Sequence, residues 1–474
     1  MNASALLDHS PTEVLAQKLR QHGSCNLLSE SVAGLVSAEA LRRDQIDHLA
    51  SLSSYGICHE QKPIPFQGLP YVMTRRTFEQ AAERFQRLFQ ILERVIDLYL
   101  EEPKVRDFFR LQPRHDRLIR MGAGYRPRIQ YCRYDFTLDE RGTPRIFELN
   151  SHSPAAATYS GYFVRMLQNS RCLAQLREHG LKPVQTPLEK PGAFAKAMLR
   201  SAEQSGYLRA GRGVAVLNSR YLTMHTELDH IAEQFRAEGC DVVRCFVEDL
   251  RFDGRQLLYG DTPVQLTFNK FDDTHGSDAY ECAFSRTTAE VHAYLDAYEA
   301  NAVFAVNSFP SMYLPEQKST LAFLWSPLLR QYLNADEIAL IEEIVPRTLL
   351  VRHLSNEELA MVATQRERYV LKRSLDTRGR SVLIGRGSTD AEWQQSLVAA
   401  RAEPAGDDFV LQELAPVEQC ITRQLHDGAP TQVFTSLACF LFQGDATGLI
   451  VRTSAEETTN VGRQGFMQPP LVIE

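Results

Sequence analysis

The period of the hydrophobic pattern changes along the chain, and each change marks out a part. From Thr77 to Leu100, Phe78, Ala82, Phe85, Leu88, Phe89, Leu92, Val95 and Leu98 fall at three- and four-residue steps, which predicts one long amphipathic helix. The rest of the chain up to about Arg120 also reads as mostly helical. At Tyr131 the reading changes to strand. Two apolar and aromatic runs, Tyr131–Leu138 and Pro144–Leu149, flank Asp139-Glu140-Arg141-Gly142-Thr143, which predicts a β-hairpin. Gly213–Asn218 reads as a buried strand, Glu227–Glu238 as a helix and Asp241–Val247 as a second strand, a spacing that suggests a βαβ unit. Further strands are predicted over Val264–Lys270 and Val303–Val306, with a helix over Glu290–Ala300 between them. A helix beginning at Pro315 carries Lys318 on its first turn. From about Tyr369 the pattern is strand-rich (Arg368–Arg373, Ser381–Gly385, Phe409–Leu414, Thr431–Phe442, Leu449–Arg452), as in an α+β domain on antiparallel sheet.

Candidate chemistry sits on these elements. Arg133 and Asp135 are two apart and share one strand face, as do Glu148 and Asn150. If the hairpin pairs in register, Asp135, Glu148 and Asn150 converge. Two carboxylates and an amide oxygen are hard ligands that suit Mg²⁺, which leaves its other positions to water and phosphate. The alternative is the solvated face of an ordinary hairpin. The segment from Ser151 to Ala157 reads as a helix N-terminus, either offering N–H groups to an anion or simply capped. Asp272, Asp273 and His275 follow a strand end, where open α/β sheets place ligands, or else form a surface turn. Lys372 lies inside a strand followed by Ser374–Arg380. A lysine and a loop of this kind cover nucleotide phosphates in several folds, although the GxxxxGK[ST] spacing is absent.

Composition narrows the function classes. Of 474 residues, 44% are hydrophobic and 23% charged, ordinary for a globular protein large enough for two or three domains. A net charge of -7 argues against nucleic acid or an anionic membrane as partner. No apolar run approaches a membrane span, and the first residues lack the pattern of a secretion signal. Nine scattered cysteines without a CxxC pair fit reduced thiols, so a cytoplasmic location is expected.

Taken in order, Arg133–Asp135 (RYD), Phe147–Asn150 (FELN), Glu316–Trp325 (EQKSTLAFLW), Val370–Gly379, Leu411–Glu413 (LQE) and Arg452 resemble the glutathionylspermidine synthase family of ATP-grasp ligases. The resemblance runs from about Tyr131 to the C-terminus and is weakest in the middle; residues up to about Arg120 match nothing. It implies a circularly permuted ATP-grasp fold of the α+β / α/β class. Its parts would be a helical N-terminal region (1–120), the metal-binding hairpin with its following helices (121–205), a pre-ATP-grasp-like α/β block on the substrate side (206–310) and the nucleotide-binding domain (311–474). It further implies that Asp135, Glu148 and Asn150 hold Mg²⁺, that Lys318 and Lys372 contact ATP phosphates, and that Gln412 and Glu413 face adenine and ribose. Arg133 would stabilise the transferred phosphoryl group, and Arg452 would complete the anion pocket. Positive charge and Mg²⁺ are what phosphoryl transfer needs.

The loop after Lys372 departs from the family in having Gly379 as its one glycine, so Arg378 and Arg380 could take over phosphate contacts. The activity implied is ATP-dependent amide formation between a small carboxylate and an amine, through an acyl phosphate. A peptide or carrier protein is a possible acceptor. The other reading is a non-catalytic relative that binds nucleotide or ligand in the same cleft.

Overall fold

The fold is described from a computed structural model over residues 10–28, 34–59, 62–208, 211–220, 226–270, 272–273, 281–282, 291–376, 379, 381–423, 430–459, 461 and 465–474. It is a mixed α/β architecture built on three principal sheets.

The largest sheet is antiparallel, and its order joins the two ends of the sequence. Phe466–Gln468, Asp445–Ser454, Pro430–Phe442, Tyr131–Leu138 and Pro144–Asn150 lie side by side, and Glu418–Arg423 also pairs with Pro430–Phe442. The early hairpin thus adds onto a late strand, with Phe136 opposite Leu437 and Tyr131 opposite Phe442. Its turn closes because Asp139 Oδ1 accepts from Arg141 N at 2.8 Å and Thr143 N at 2.9 Å. Gly142 supplies the left-handed residue (φ 77°) that a side chain would strain.

Strand alternation divides this sheet into two faces. Cys132, Tyr134, Phe136, Leu437, Cys439 and Leu441 join one core with the helix Arg75–Glu101. The Phe85 ring meets Tyr134 and Phe136 edge-on at 5.7 and 5.1 Å. The predicted long helix is therefore the backing of the sheet. Tyr131, Ala438, Phe440 and Ile450 belong to a second core on the opposite face. Arg133 and Asp135 share that second face with Tyr131 by the same alternation.

The predicted βαβ unit lies in a four-stranded parallel sheet ordered Phe304–Ala305, Leu266–Asn269, Gly213–Asn218, Asp241–Phe246. Asp272 and Asp273 pair through their backbones with Glu281 and Cys282, but their side chains and His275 lie outside the described residues. The third sheet is antiparallel: Thr348–Leu350, Phe409–Glu413, Tyr369–Arg373, Val382–Ile384. It packs on its own core around Trp393, Leu371, Leu397 and Leu411. Tyr71–Thr74 pairs in parallel with the last strand, Pro470–Ile473. Among the described residues no helix is long and apolar enough to cross a membrane.

Candidate functional site

Asp135 lies opposite Glu148 and Arg133 opposite Asn150, beyond a one-residue register shift between Asp135 and Phe136 that leaves Phe147 as the extra residue. The third sheet brings up Lys372 from its central strand, and the short helix Lys318–Leu324 brings up Lys318. That helix starts at Lys318 and not at Pro315, because Gln317 is still extended (φ -73°, ψ 133°). The Lys318 backbone N–H donates to Ser374 O at 2.9 Å, which draws the lysine inward. Lys318, expected on a helical first turn where lysines are usually solvated, is only 6% exposed.

These pieces border one cleft lined by Phe147, Glu148, Lys318, Lys372, Gln412 and Arg452, with Val370, Val382, Ile384 and Leu414 as an apolar wall. It holds about 950 Å³ of space, counting its open mouth. Lys318 Nζ sits 3.0 Å from Glu148 Oε1 and donates to Asp376 O at 2.9 Å. Burial pulls the Lys318 ammonium down, but Glu148 outweighs it and holds the pKa above its ordinary value. Lys372 Nζ donates to Phe147 O at 3.1 Å and Gln412 Oε1 at 2.7 Å. Burial lowers its pKa to about 8. Glu413 also lines the cleft, 3.5 Å from Arg368, with its backbone N–H on Arg347 O at 2.8 Å. Glu457, also on the cleft lining, forms a two-pronged ion pair with Arg386, between the segment after Asp445–Ser454 and the residues that follow the third sheet's edge strand.

Asp135 stands behind this cleft, fully buried. Its Oδ1 accepts from Arg133 Nε at 2.7 Å. Its Oδ2 accepts from Arg133 Nη2 at 3.1 Å and Arg452 Nη2 at 2.6 Å. Burial alone would raise its pKa; Arg133 and Arg452 outweigh it and hold the carboxyl below its ordinary value. Among the described residues no three His, Cys, Asp or Glu side chains group as a metal cage. The residues still fit Mg²⁺ as a phosphate-bound ion. The Glu148 carboxylate opens on the cleft and Asn150 follows two residues on, and Mg²⁺ takes one or two protein carboxylates and completes its shell with water and phosphate. Asp135, expected as a third ligand, has both oxygens engaged by guanidinium groups.

Two further sequence expectations have a place in this region. The helix Ala157–Gln168 does begin where predicted, but Ala156 N donates to Glu227 Oε1 at 2.7 Å, so a buried carboxylate of the chain itself already takes the place of an anion there. The Gln412 amide, expected toward adenine, is bonded between Lys372 and Thr348. Arg378 and Arg380 lie outside the described residues. Sequence reasoning also missed Glu316, which accepts from Ser151 N at 2.6 Å and His152 N at 2.8 Å, next to Lys318. Burial pushes Glu316 up to about 7. Its signal was the EQK run itself: an acid two residues before Lys318.

No protein-family profile matches the chain, and no curated protein matches it. Among solved structures, a glutathione synthetase-like effector from Globodera pallida, in its apo form, superposes with a TM-score of 0.57 at 13% identity, covering 92% of this chain and 98% of that one. A chain from Methylobacillus flagellatus KT, provisionally described as a gamma-glutamylcysteine synthetase, gives 0.39 at 11% identity over 81% and 87%, too distant to carry an argument. The first likeness shows a shared fold.

Proposed function

We propose that the cleft binds ATP with Mg²⁺ and that the chain is an ATP-dependent carboxylate–amine ligase of the circularly permuted ATP-grasp type. One observation carries the reading: Glu148, from the first third of the chain, and Lys318 and Lys372, from the last third, border a single cleft, with Glu148 and Lys318 only 3.0 Å apart. The early hairpin on the edge of a sheet otherwise made of late strands supports the permuted order. The fold shared with the glutathione synthetase-like effector agrees with a ligase.

Lys318 and Lys372 neutralise ATP phosphates, and the apolar wall with Glu413 takes the adenosine end. Glu148 and Asn150 would hold Mg²⁺, which offsets phosphate charge when bound. Arg452, at the cleft, and Arg133, behind it, are fixed by Asp135 and stabilise charge on the transferred phosphoryl group. A substrate carboxylate oxygen attacks the γ-phosphorus and ADP leaves. The amine nitrogen then attacks the acyl carbon, phosphate leaves, and the amine proton passes to solvent. The substrate class is a small amino acid, peptide or polyamine-type pair.

The test is phosphate release from ATP with pooled carboxylates and amines. Release that falls below detection in folded Lys372→Ala and Glu148→Ala variants is expected. Full release in either variant overturns the assignment, and ATP binding without release in any pool favours the non-catalytic reading.

A further inference from the structure

Lys318 and Lys372 reach the same cleft but are held in opposite ways. Lys318 faces the Glu148 carboxylate at 3.0 Å. The two hydrogen bonds of Lys372 go to neutral oxygens, Phe147 O and Gln412 Oε1. An ammonium has three donors, so one is left for the cleft that Lys372 lines. Behind it, Gln412 Nε2 donates to Thr348 Oγ1 at 3.1 Å, and Thr348 Oγ1 donates to Pro346 O at 2.9 Å. Strand register places these groups: Gln412 lies opposite Thr348 on one side and Val370 on the other, with Lys372 on the diagonal.

The direction of these bonds is fixed at both ends. A carbonyl only accepts, so the Thr348 proton is committed to Pro346 and its lone pairs face Gln412. An ammonium only donates, so Gln412 must turn its oxygen to Lys372. One amide orientation satisfies both neighbours, and the reverse would leave buried donors facing donors.

We infer that Pro346, Thr348 and Gln412 form an ordered hydrogen-bond relay that aims the Lys372 ammonium into the cleft on neutral acceptors, which makes Thr348 and Gln412 positioning residues. Pairing with a carboxylate would spend the charge that an incoming anion needs; the relay fixes the side chain and keeps that charge. The relay rests on the reading of the cleft as a phosphate site only for its purpose, since its geometry stands without a nucleotide.

The experiment uses the full chain and two readouts. The first is the rate at which an amine-reactive reagent modifies Lys372, followed by peptide mass spectrometry with the other lysines as internal standards. Thr348→Val keeps the shape and removes the acceptor, which frees the amide to turn its NH₂ toward Lys372. The rate at Lys372 is expected to rise by about threefold or more, while Thr348→Ser stays near wild type. Gln412→Glu places a carboxylate on the ammonium and slows modification, which gives a second variant if Thr348→Val does not fold. The second readout is calorimetric affinity for ATP and for adenosine. Thr348→Val is expected to weaken ATP about tenfold and leave adenosine unchanged. Unchanged Lys372 modification in folded Thr348→Val and Gln412→Glu overturns the relay. A shifted rate together with a wild type that binds neither ATP nor inorganic triphosphate upholds the relay and overturns the nucleotide reading.

Discussion

Replacing Asp135 by Asn removes one negative charge and almost no volume, so its effect reads the electrostatics of the site directly. Asp135 is 0% exposed, and its partners Arg133 and Arg452 are 12% and 16% exposed, so water does little to screen them. Three hydrogen bonds of 2.6 to 3.1 Å end on its two oxygens. Asparagine keeps one acceptor oxygen and turns a donor toward a guanidinium. Two buried cations then face each other without a counter-ion, a loss of about 3–5 kcal/mol. With a urea dependence of about 2–3 kcal/mol per molar, the unfolding midpoint falls by about 1–2.5 M. Urea unfolding followed by tryptophan fluorescence at pH 7 measures it. The pH dependence has a definite sign. The folded pKa of Asp135 is depressed, so its contribution is present above the unfolded value and is lost as pH falls through the folded one. The gap between wild type and variant is full at pH 7 and closes only below about pH 4. A midpoint for Asp135→Asn within error of wild type would show that the two arginines do not depend on this carboxylate.

Other expectations follow from neighbouring contacts. Glu316 is raised from 4.5 to about 7, so its contribution is present below pH 4.5 and is lost as pH rises through 7. Glu316→Gln should therefore exceed wild type in stability at pH 8 by up to about 3 kcal/mol and match it only below about pH 4; equal stabilities at both values refute this. Glu457 lines the cleft and its ion pair with Arg386 is partly exposed, so its worth is about 0.2–1 kcal/mol. Arg386→Ala should speed release of a fluorescent ATP analogue in stopped flow by up to about fivefold, and the charge-reversed double variant should restore it. An unchanged release rate removes the pair from any gating role.

Local pattern was enough to read the hairpin and not enough to read what surrounds it. Period-two alternation and a Gly-containing turn made the hairpin legible, but the register set at the turn would place Phe147 opposite Asp135, and a one-residue register shift after Asp135 brings Glu148 there instead. The long helix and the βαβ unit were legible for the same reason: each shows its own period over enough residues. Three features depend on contacts far apart in sequence. Lys318 is drawn inward by Ser374 and Asp376, and the start of the helix Ala157–Gln168 is satisfied by Glu227. The Gln412 amide turns to Lys372 and Thr348 because the register of three strands puts them on one face. Of the residues named by motif order, Glu148, Lys318, Lys372, Gln412, Glu413 and Arg452 line one cleft while Arg133, Asp135 and Asn150 do not, and motif order could not tell which carboxylate is saturated. Asp135 and Glu148 look equivalent in sequence and differ because two arginines converge on the first and a lysine on the second.

The most direct test of the ligase reading is the fate of a carboxylate oxygen. The chain is incubated with ATP, Mg²⁺, an amine pool and a pool of ¹⁸O-labelled carboxylates, and the released phosphate is weighed by mass spectrometry. Attack of a carboxylate on the γ-phosphate predicts one ¹⁸O atom in each phosphate formed with amide. Unlabelled phosphate, or AMP and pyrophosphate in place of ADP, would contradict the acyl-phosphate route.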